Sequence, residues 1–312
     1  MMDPIEFFGN HTFRMVFLGT SVIGLVAGAL GSFAYLRKQS LISDVVAHSA
    51  LPGALLAFLA AVLVLEVNGR NMLGLLVGAI ITGTLSALFA NTIASRTKIR
   101  IDTAMAISLT MFFGGGMILL RIISQGQFPG KGGIDEYLFG NASVITIADL
   151  TTIIVVGALA LILMVVFWKE FALRTFDPDF STLLGFRARA IDTLMFTTIV
   201  IAIVIGVKAV GVVLMIAFVV TPPAAARQWT NTLPSMVALS GVFGAAGSAF
   251  GAYISVSLGS VPTGPVIVLT LFLIFLISLF AAPRRSIIAT VLRQARARET
   301  LRQELRSETV DK

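Results

Sequence analysis

The chain has 312 residues, of which 57% are hydrophobic and only 12% are charged, and its mean hydropathy is +0.95. A soluble domain carries about a quarter of charged residues and a disordered chain combines low hydrophobicity with high charge, so both classes are excluded. The 23 basic and 16 acidic residues give a formal charge of +7, which in a membrane protein reflects basic cytoplasmic loops rather than a nucleic-acid partner. The composition predicts a polytopic helical membrane protein.

Apolar runs between charged residues predict an all-α transmembrane bundle of about nine spans. In chain order, the predicted spans cover residues 13–36, 42–65, 72–95, 102–123, 147–168, 191–207, 209–226, 233–257 and 265–282. The stretch 191–226 is interrupted only by Gly206, Lys208 and Gly211. It forms either two short spans or one long broken span, so a count of eight spans also fits.

The basic residues separate by side of the membrane when nine spans are assumed. Of the 23 basic residues, 18 lie on one side and the remaining five on the other, which places the N-terminus outside and the C-terminus in the cytoplasm. The chain then divides into a transmembrane domain, residues 1–285, and a charged tail, residues 286–312. The tail is expected to be a cytoplasmic amphipathic helix that either contacts a partner or lies near anionic headgroups.

Asp44 and His48 are the best candidates for an intramembrane site, because ionisable residues within spans are costly and commonly functional. They are four residues apart and share one helix face, where a carboxylate and an imidazole can bind one divalent cation together. At 1.5 Å per residue, His48 is expected about 15 Å beyond Lys38, near the middle of the membrane. Alternatively, Asp44 caps its helix and His48 makes an ordinary bond between helices.

Pro52 and Gly53 predict a break in the helix next to this pair. Proline lacks the N–H that would bond the carbonyl oxygen of His48, four residues earlier, and glycine makes the same turn adaptable. The sequence therefore offers a carboxylate, an imidazole and a freed backbone oxygen in one place. Further ligands would have to come from another helix or another chain.

No catalytic or nucleotide-binding motif accompanies these residues. The Gly130-Lys131 pair lacks the glycine spacing of a phosphate-binding loop, and neither G-x-S-x-G nor H-E-x-x-H occurs in the sequence. With two histidines and no cysteine, the chain is not expected to be an enzyme or to hold a permanent cofactor.

The polar connection between the fifth and sixth spans predicts a short helix in the cytoplasm. Asp177 and Pro178 are typical of a helix start, and Gly185 is typical of a helix end. Phe176 and Phe180 belong to an apolar set at helical spacing. This aromatic face either lies on the membrane surface or docks a cytoplasmic subunit.

Five sequence blocks resemble those of the metal-ion ABC transporter permeases, the membrane subunits that import zinc, manganese or iron. In chain order they are LRKQSLISDVVAHSALPGALLAFLA, IRIDTAMAISLTMFFGGGMILL, GGIDEYLFGNA, FDPDFSTLLGF and VGVVLMIAFVVTPPAAARQW. Together they cover most of the chain. The Gly- and Lys-rich stretch GQFPGKGGIDEY is more similar to the manganese and iron branch than to the zinc branch.

The resemblance implies a type II-like importer permease of the bacterial plasma (inner) membrane, paired with a second permease copy as a homodimer or heterodimer. It also implies cytoplasmic ATP-binding subunits, which would bind and hydrolyse ATP, and an extracytoplasmic metal-binding protein. Asp44 and His48 match the family's ligands for the transported ion, and residues 174–186 match its ATPase-coupling segment. The alternative is a secondary transporter in which Asp44 and His48 relay a proton or cation.

Overall fold

The computed structural model describes residues 9–39, 41–64, 72–126, 128–129, 145–258 and 261–282. Eleven α-helices have both ends within these ranges, and no β-strand occurs there. The predicted all-α fold is therefore confirmed. The tail 286–312 and most of the stretch GQFPGKGGIDEY lie outside the described residues.

Nine of these helices are long, and the other two, Trp168–Phe176 and Pro178–Leu183, are short and follow each other along the chain. In chain order, the helices are α1 (His11–Leu36), α2 (Ile42–Leu63), α3 (Met72–Arg96), α4 (Ile101–Gln125), α5 (Ile147–Val166), α6 (Trp168–Phe176), α7 (Pro178–Leu183), α8 (Ala188–Val210), α9 (Val212–Trp229), α10 (Leu233–Leu258) and α11 (Thr263–Ala281). Among the described residues, eight helices are long and apolar enough to cross a membrane, namely α1 to α5, α8, α10 and α11.

The stretch 191–226 forms two helices rather than one. The chain breaks at Gly211, whose φ of +85° lies in the left-handed region that glycine adopts without a side-chain clash. The N–H of Gly211 bonds the carbonyl oxygen of Val207 at 2.8 Å and closes α8, and α9 then starts at Val212. Of these two helices, only α8 belongs to the eight that are long and apolar enough to cross a membrane in the described chain. The path of α9 therefore has to be inferred from the directions of α8 and α10.

The direction of α8 is opposite to that of α1. Asp192 near the start of α8 pairs with Arg37 at the end of α1. Further along α8, a β-carbon on Gly206 would lie 3.1 Å from Cγ2 of Ile23, which is near the middle of α1. The two helices therefore lie antiparallel side by side.

Helix α10 also runs antiparallel to α1. Gly24 meets Gly244 backbone to backbone, and the Ser240 hydroxyl donates to the carbonyl oxygen of Gly28 at 2.6 Å. Small residues let two membrane helices approach this closely. Because α8 and α10 run the same way, α9 has to carry the chain back across the bundle between them. The described residues contain eight candidate spans, and α9 is the helix that connects α8 to α10.

Helices α2, α3 and α4 form a compact group that positions the candidate site. At the crossing of α2 and α3, Gly53 meets the backbone of Gly78. On α4, a β-carbon at Gly116 would lie 3.0 Å from atoms of both Leu51 and Pro52. The middle of α2 is thereby held against both neighbours.

Candidate metal-ion site and coupling segment

Asp44 and His48 lie together on one face of α2. The Nε2 atom of His48 is 3.2 Å from Oδ1 of Asp44, and each side chain is about a third exposed, 29% for His48 and 31% for Asp44. Two ligands that each lie about 2.1 Å from one metal ion, at an angle near 90–110°, are about 3.0–3.4 Å apart. The two atoms therefore already have the separation that a shared ion requires.

The site lies closer to the end of the bundle than the sequence estimate of about 15 Å. Helix α2 begins at Ile42, so His48 is its seventh residue, about 9 Å along the axis, and Asp44 is in the first turn. The estimate counted helical rise from Lys38, whereas the chain turns there, with Lys38 at a φ of +56°. The rise of about 15 Å, from which the position near the middle of the membrane was inferred, is therefore reduced to about 9 Å along α2.

The break expected at Pro52 and Gly53 does not occur, since α2 continues through both residues to Leu63. Pro52 nevertheless supplies no N–H to the carbonyl oxygen of His48, as its chemistry dictates. Gly53 serves the crossing with α3: a β-carbon there would overlap the carbonyl oxygen of Gly78 and the hydroxyl of Thr82. The contacts of these neighbouring helices hold α2 at the position where proline removes a backbone hydrogen bond.

The imidazole of His48 is flanked by an aromatic ring from α4. The ring of Phe113 lies edge-on to it, with centroids 4.8 Å apart and an interplanar angle of 76°. This contact covers part of the imidazole, and the His48 side chain remains partly exposed. No group of three or more His, Cys, Asp and Glu side chains comes together anywhere in the described residues. Within that part of the chain, no group of three such side chains therefore includes Asp44 and His48.

A chain of buried serine hydroxyls, which the sequence analysis missed, links the three helices around the site. The Ser86 hydroxyl lies 2.7 Å from those of Ser49 and Ser108, and the Ser108 hydroxyl donates to the carbonyl oxygen of Ser86 at 2.9 Å. All three residues are fully buried. They join α2, α3 and α4 beside His48. The sequence contains a sign of these contacts, because Ser49, Ser86 and Ser108 each lie within an otherwise apolar predicted span.

The short helix predicted between the fifth and sixth spans is present with the predicted ends. The Asp177 carboxylate accepts a hydrogen bond from the Phe180 N–H at 2.9 Å, and Pro178 occupies the first turn of α7. Gly185 follows the helix with a φ of +82°, as a left-handed terminator does.

The apolar side chains of this segment point away from the bundle. Their exposed fractions are 61% for Phe176, 48% for Phe180, 83% for Leu183 and 55% for Leu184. Phe176 is the last residue of α6 and the others lie on or just after α7. An exposed apolar surface of this kind, at the end of a bundle, is typical of an interaction site.

A buried ion-pair cluster lies behind this surface and was also missed. Arg174 of α6 donates to both carboxylate oxygens of Asp192, from Nε at 3.1 Å and from Nη2 at 2.8 Å. Nη1 of Arg37 donates to Oδ1 of the same carboxylate at 2.9 Å. The Asp192 side chain is only 6% exposed. The sequence does place an acidic residue, Asp192, near the start of a predicted span. It does not indicate which basic residues pair with it.

The two guanidinium groups of this cluster experience different environments. Burial lowers the pKa of Arg37, and the Asp192 carboxylate opposes that shift. The hydrogen bond with Asp192 raises the pKa of Arg174. Arginine remains protonated in proteins, so the cluster holds two positive charges around one negative charge.

Comparisons with known proteins agree with this architecture. A family model described as "ABC 3 transport family" matches residues 10–282. The chain is 39% identical over 285 residues to the manganese transport system membrane protein MntC of Bacillus subtilis, covering 91% of this chain and 64% of that protein. It is 38% identical over 292 residues to the zinc transport system membrane protein TroC of Treponema pallidum, covering 94% of this chain and 96% of that protein.

Solved structures give the same result. The structure of PsaBC from Streptococcus pneumoniae in complex with Fab is similar with a TM-score of 0.76 and 32% sequence identity, covering 90% of this chain and 97% of that one. An inward-facing putative metal-chelate type ABC transporter shares the fold, with a TM-score of 0.61 and 15% identity over 90% of each chain.

Proposed function

The chain belongs to the ABC 3 transport family, and we infer that it is the membrane permease subunit of an importer that moves a divalent transition metal ion into the cytoplasm. The observation that carries this proposal is the Asp44–His48 pair, with its 3.2 Å separation and its partly exposed side chains. Carboxylate and imidazole ligands suit divalent ions of the first transition row. The other histidine of the chain, His11, lies in the first turn of α1, so Asp44 and His48 are the carboxylate–imidazole pair on which the proposal rests.

Manganese is the first choice of ion, with zinc or iron as alternatives. Relatives in Bacillus subtilis and Streptococcus gordonii are named for manganese, and the relative in Treponema pallidum is named for zinc. One carboxylate and one imidazole do not by themselves select among manganese, iron and zinc. The selectivity is therefore expected to depend on the ligands that complete the site.

A second permease copy is the proposed source of those missing ligands. Asp44 and His48 are partly exposed on α2, and on the neighbouring helix Gly114 and Gly115 have nothing within 4 Å of a would-be β-carbon. This open surface leaves room for another chain to approach the ion. The copy is either identical to this chain or a similar permease.

Cytoplasmic ATP-binding subunits are the proposed partners of residues 174–186, which we define as the coupling segment. The chain carries no nucleotide-binding loop of its own, so ATP hydrolysis is assigned to these separate subunits. Phe176, Phe180 and Leu183 present the apolar surface on which they would dock. No permanently bound cofactor is proposed for the permease itself.

The orientation follows from the distribution of basic residues. With nine crossings, 18 of the 23 basic residues lie on the side of the coupling segment, which the positive-inside rule assigns to the cytoplasm of a bacterial cell. The N-terminus then lies outside and the C-terminus inside. An extracytoplasmic metal-binding protein would deliver the ion on the opposite face of this plasma-membrane (inner-membrane) protein.

In the proposed cycle, closure of the ATP-binding subunits pushes on the coupling segment and rocks the helices around Asp44 and His48. The pair is then open alternately to the outside and to the cytoplasm. Because the pair lies about 9 Å along α2 from its inner end, the ion would leave toward the cytoplasm by a short path.

Uptake into proteoliposomes tests this function against a secondary transporter. The complex with its ATP-binding subunits should accumulate manganese only when ATP is supplied on the cytoplasmic side. Accumulation driven by a proton gradient without ATP would instead favour the relay role of Asp44 and His48.

A further inference from the structure

We propose that Asp192 is a positioning residue that carries the movement of the coupling segment to α1 and, through the following turn, to the Asp44–His48 pair. The inference rests on the proposed function, because it assumes that the coupling segment is moved by the ATP-binding subunits. It assigns a role to the ion-pair cluster of Arg37, Asp192 and Arg174.

The first half of this path joins the coupling segment to Asp192. Arg174 donates from Nη1 to the carbonyl oxygen of Pro178 in α7 at 3.0 Å, while its Nε and Nη2 hold the two carboxylate oxygens of Asp192. A bidentate arginine–carboxylate pair fixes both distance and angle. A displacement of α7 therefore reaches the Asp192 carboxylate through one side chain, that of Arg174.

The second half joins Asp192 to the end of α1. Arg37 is the residue that ends α1, and its guanidinium contacts both the Asp192 carboxylate and the ring of Phe196, 5.3 Å from the ring centroid. Only 14% of the Arg37 side chain is exposed. Separating the buried Arg37 from the Asp192 carboxylate would leave unpaired charge in a poorly hydrated site, so α1, α6 and α8 are held to move together here.

The end of α1 is in turn tied to the start of α2. The N–H of Gln39 bonds the carbonyl oxygen of Ala34 at 2.9 Å, and the N–H of Ile42 bonds that of Gln39 at 3.0 Å. Asp44 follows in the first turn of α2. A shift of Arg37 thus reaches the candidate site through a few residues of hydrogen-bonded chain.

An apolar contact lies parallel to this polar path. The Phe33 ring of α1 packs edge-on against Trp168 and Phe171 of α6, each with a centroid distance of 5.8 Å. This contact holds α6 against α1 when a charge of the cluster is removed. The variants below are therefore expected to lose the directional link while keeping the fold.

The test compares Arg174→Gln and Asp192→Asn in the full complex reconstituted in proteoliposomes, with Glu170→Gln of α6 as the matched control. Arg174→Gln is the milder variant, because it leaves Arg37 and Asp192 as a neutral pair. Both variants should still assemble with the ATP-binding subunits and hydrolyse ATP. Manganese uptake per complex should fall about tenfold, a typical size for coupling between sites, so the number of ATP molecules hydrolysed per ion rises.

The control should keep the wild-type ratio, and Asp192→Glu, which restores the charge, should recover part of the uptake. An unchanged number of ATP molecules hydrolysed per manganese ion in Arg174→Gln would overturn the proposal. This holds even if Asp192→Asn cannot be purified. A proportional fall of hydrolysis and uptake would also overturn it, because a purely structural role lowers both together. Failure of the proposed function is distinguishable, since the wild-type chain would then not retain ATP-binding subunits at all.

Discussion

The imidazole Nε2 of His48 lies 3.2 Å from Oδ1 of Asp44, one helical turn away. This separation is set by the helix itself, because residues four apart face each other at the start of α2. The edge of the Phe113 ring restricts the imidazole on one side. The pair is thus ordered by its own helix and one neighbour, and its partly exposed side chains can meet an ion or a second chain.

Replacement of Gly53 by alanine tests the crossing that holds α2 in place. The new methyl group would overlap the carbonyl oxygen of Gly78, and overpacking of this kind costs about 1–3 kcal/mol. The thermal unfolding midpoint of the purified complex should fall. Gly241→Ala is the matched control, because its β-carbon would come no nearer than 3.4 Å to the carbonyl oxygen of Leu25 and alanine favours the helix by up to about 1 kcal/mol. Equal midpoints for the two variants would contradict the close crossing.

Ser86→Ala should weaken the contact among α2, α3 and α4. The substitution removes the hydroxyl that lies 2.7 Å from both Ser49 and Ser108, and hydrogen bonds between membrane helices are worth about 0.6–1.7 kcal/mol. Unfolding of the purified complex should become easier by roughly this amount. Thr110→Ala provides the comparison, because the Thr110 hydroxyl bonds only its own helix. A loss no larger in Ser86→Ala than in Thr110→Ala would show that the serine chain is not stabilising.

Leu183→Glu should detach the ATP-binding subunits without unfolding the permease. The side chain is 83% exposed in the described chain, so a charge there has little to disturb except a docked partner. Co-purification from membranes with a tagged permease measures the effect, and Thr182→Ser on the same helix serves as control. Retention of the subunits by Leu183→Glu at the level of the control would remove the coupling segment from the interface.

Single cysteines can establish the orientation, because the chain has none of its own. Pro129→Cys lies after α4 and should react with a membrane-impermeant maleimide in right-side-out vesicles. Thr97→Cys lies between α3 and α4 and should react only after permeabilisation. Both positions are exposed. The opposite labelling pattern would reverse the orientation, and labelling of both from one side would show that α4 does not cross the membrane.

The boundaries of the helices were largely predictable because charged residues punctuate the apolar runs. The predicted span 233–257 corresponds to Leu233–Leu258, and 72–95 corresponds to Met72–Arg96. The span 147–168 was predicted two residues too long, since the chain turns at Phe167 and α6 starts with the apolar Trp168. Hydrophobicity continues through that turn and so could not mark it.

The candidate site was predictable only in part. The spacing of Asp44 and His48 predicts their proximity, because it depends on one helix alone. The helical rise to His48 was overestimated, since a turn after Arg37 replaces part of the expected helix. Asp192 could not be connected to Arg37 because 155 residues separate them, and their contact depends on how α1 and α8 pack. Contacts between helices that are distant in the sequence therefore could not be predicted from the sequence and are seen only in the structure.

The most direct test of the account is manganese uptake by proteoliposomes that contain the complete transporter with Asp44→Asn or His48→Gln. Each substitution keeps the approximate shape and removes one ligand. The account predicts that assembly and ATP hydrolysis persist in both variants while uptake is lost. Asp102→Asn, an exposed carboxylate in the first turn of α4, should transport like the wild type. Wild-type uptake by both Asp44→Asn and His48→Gln would show that this pair does not hold the transported ion.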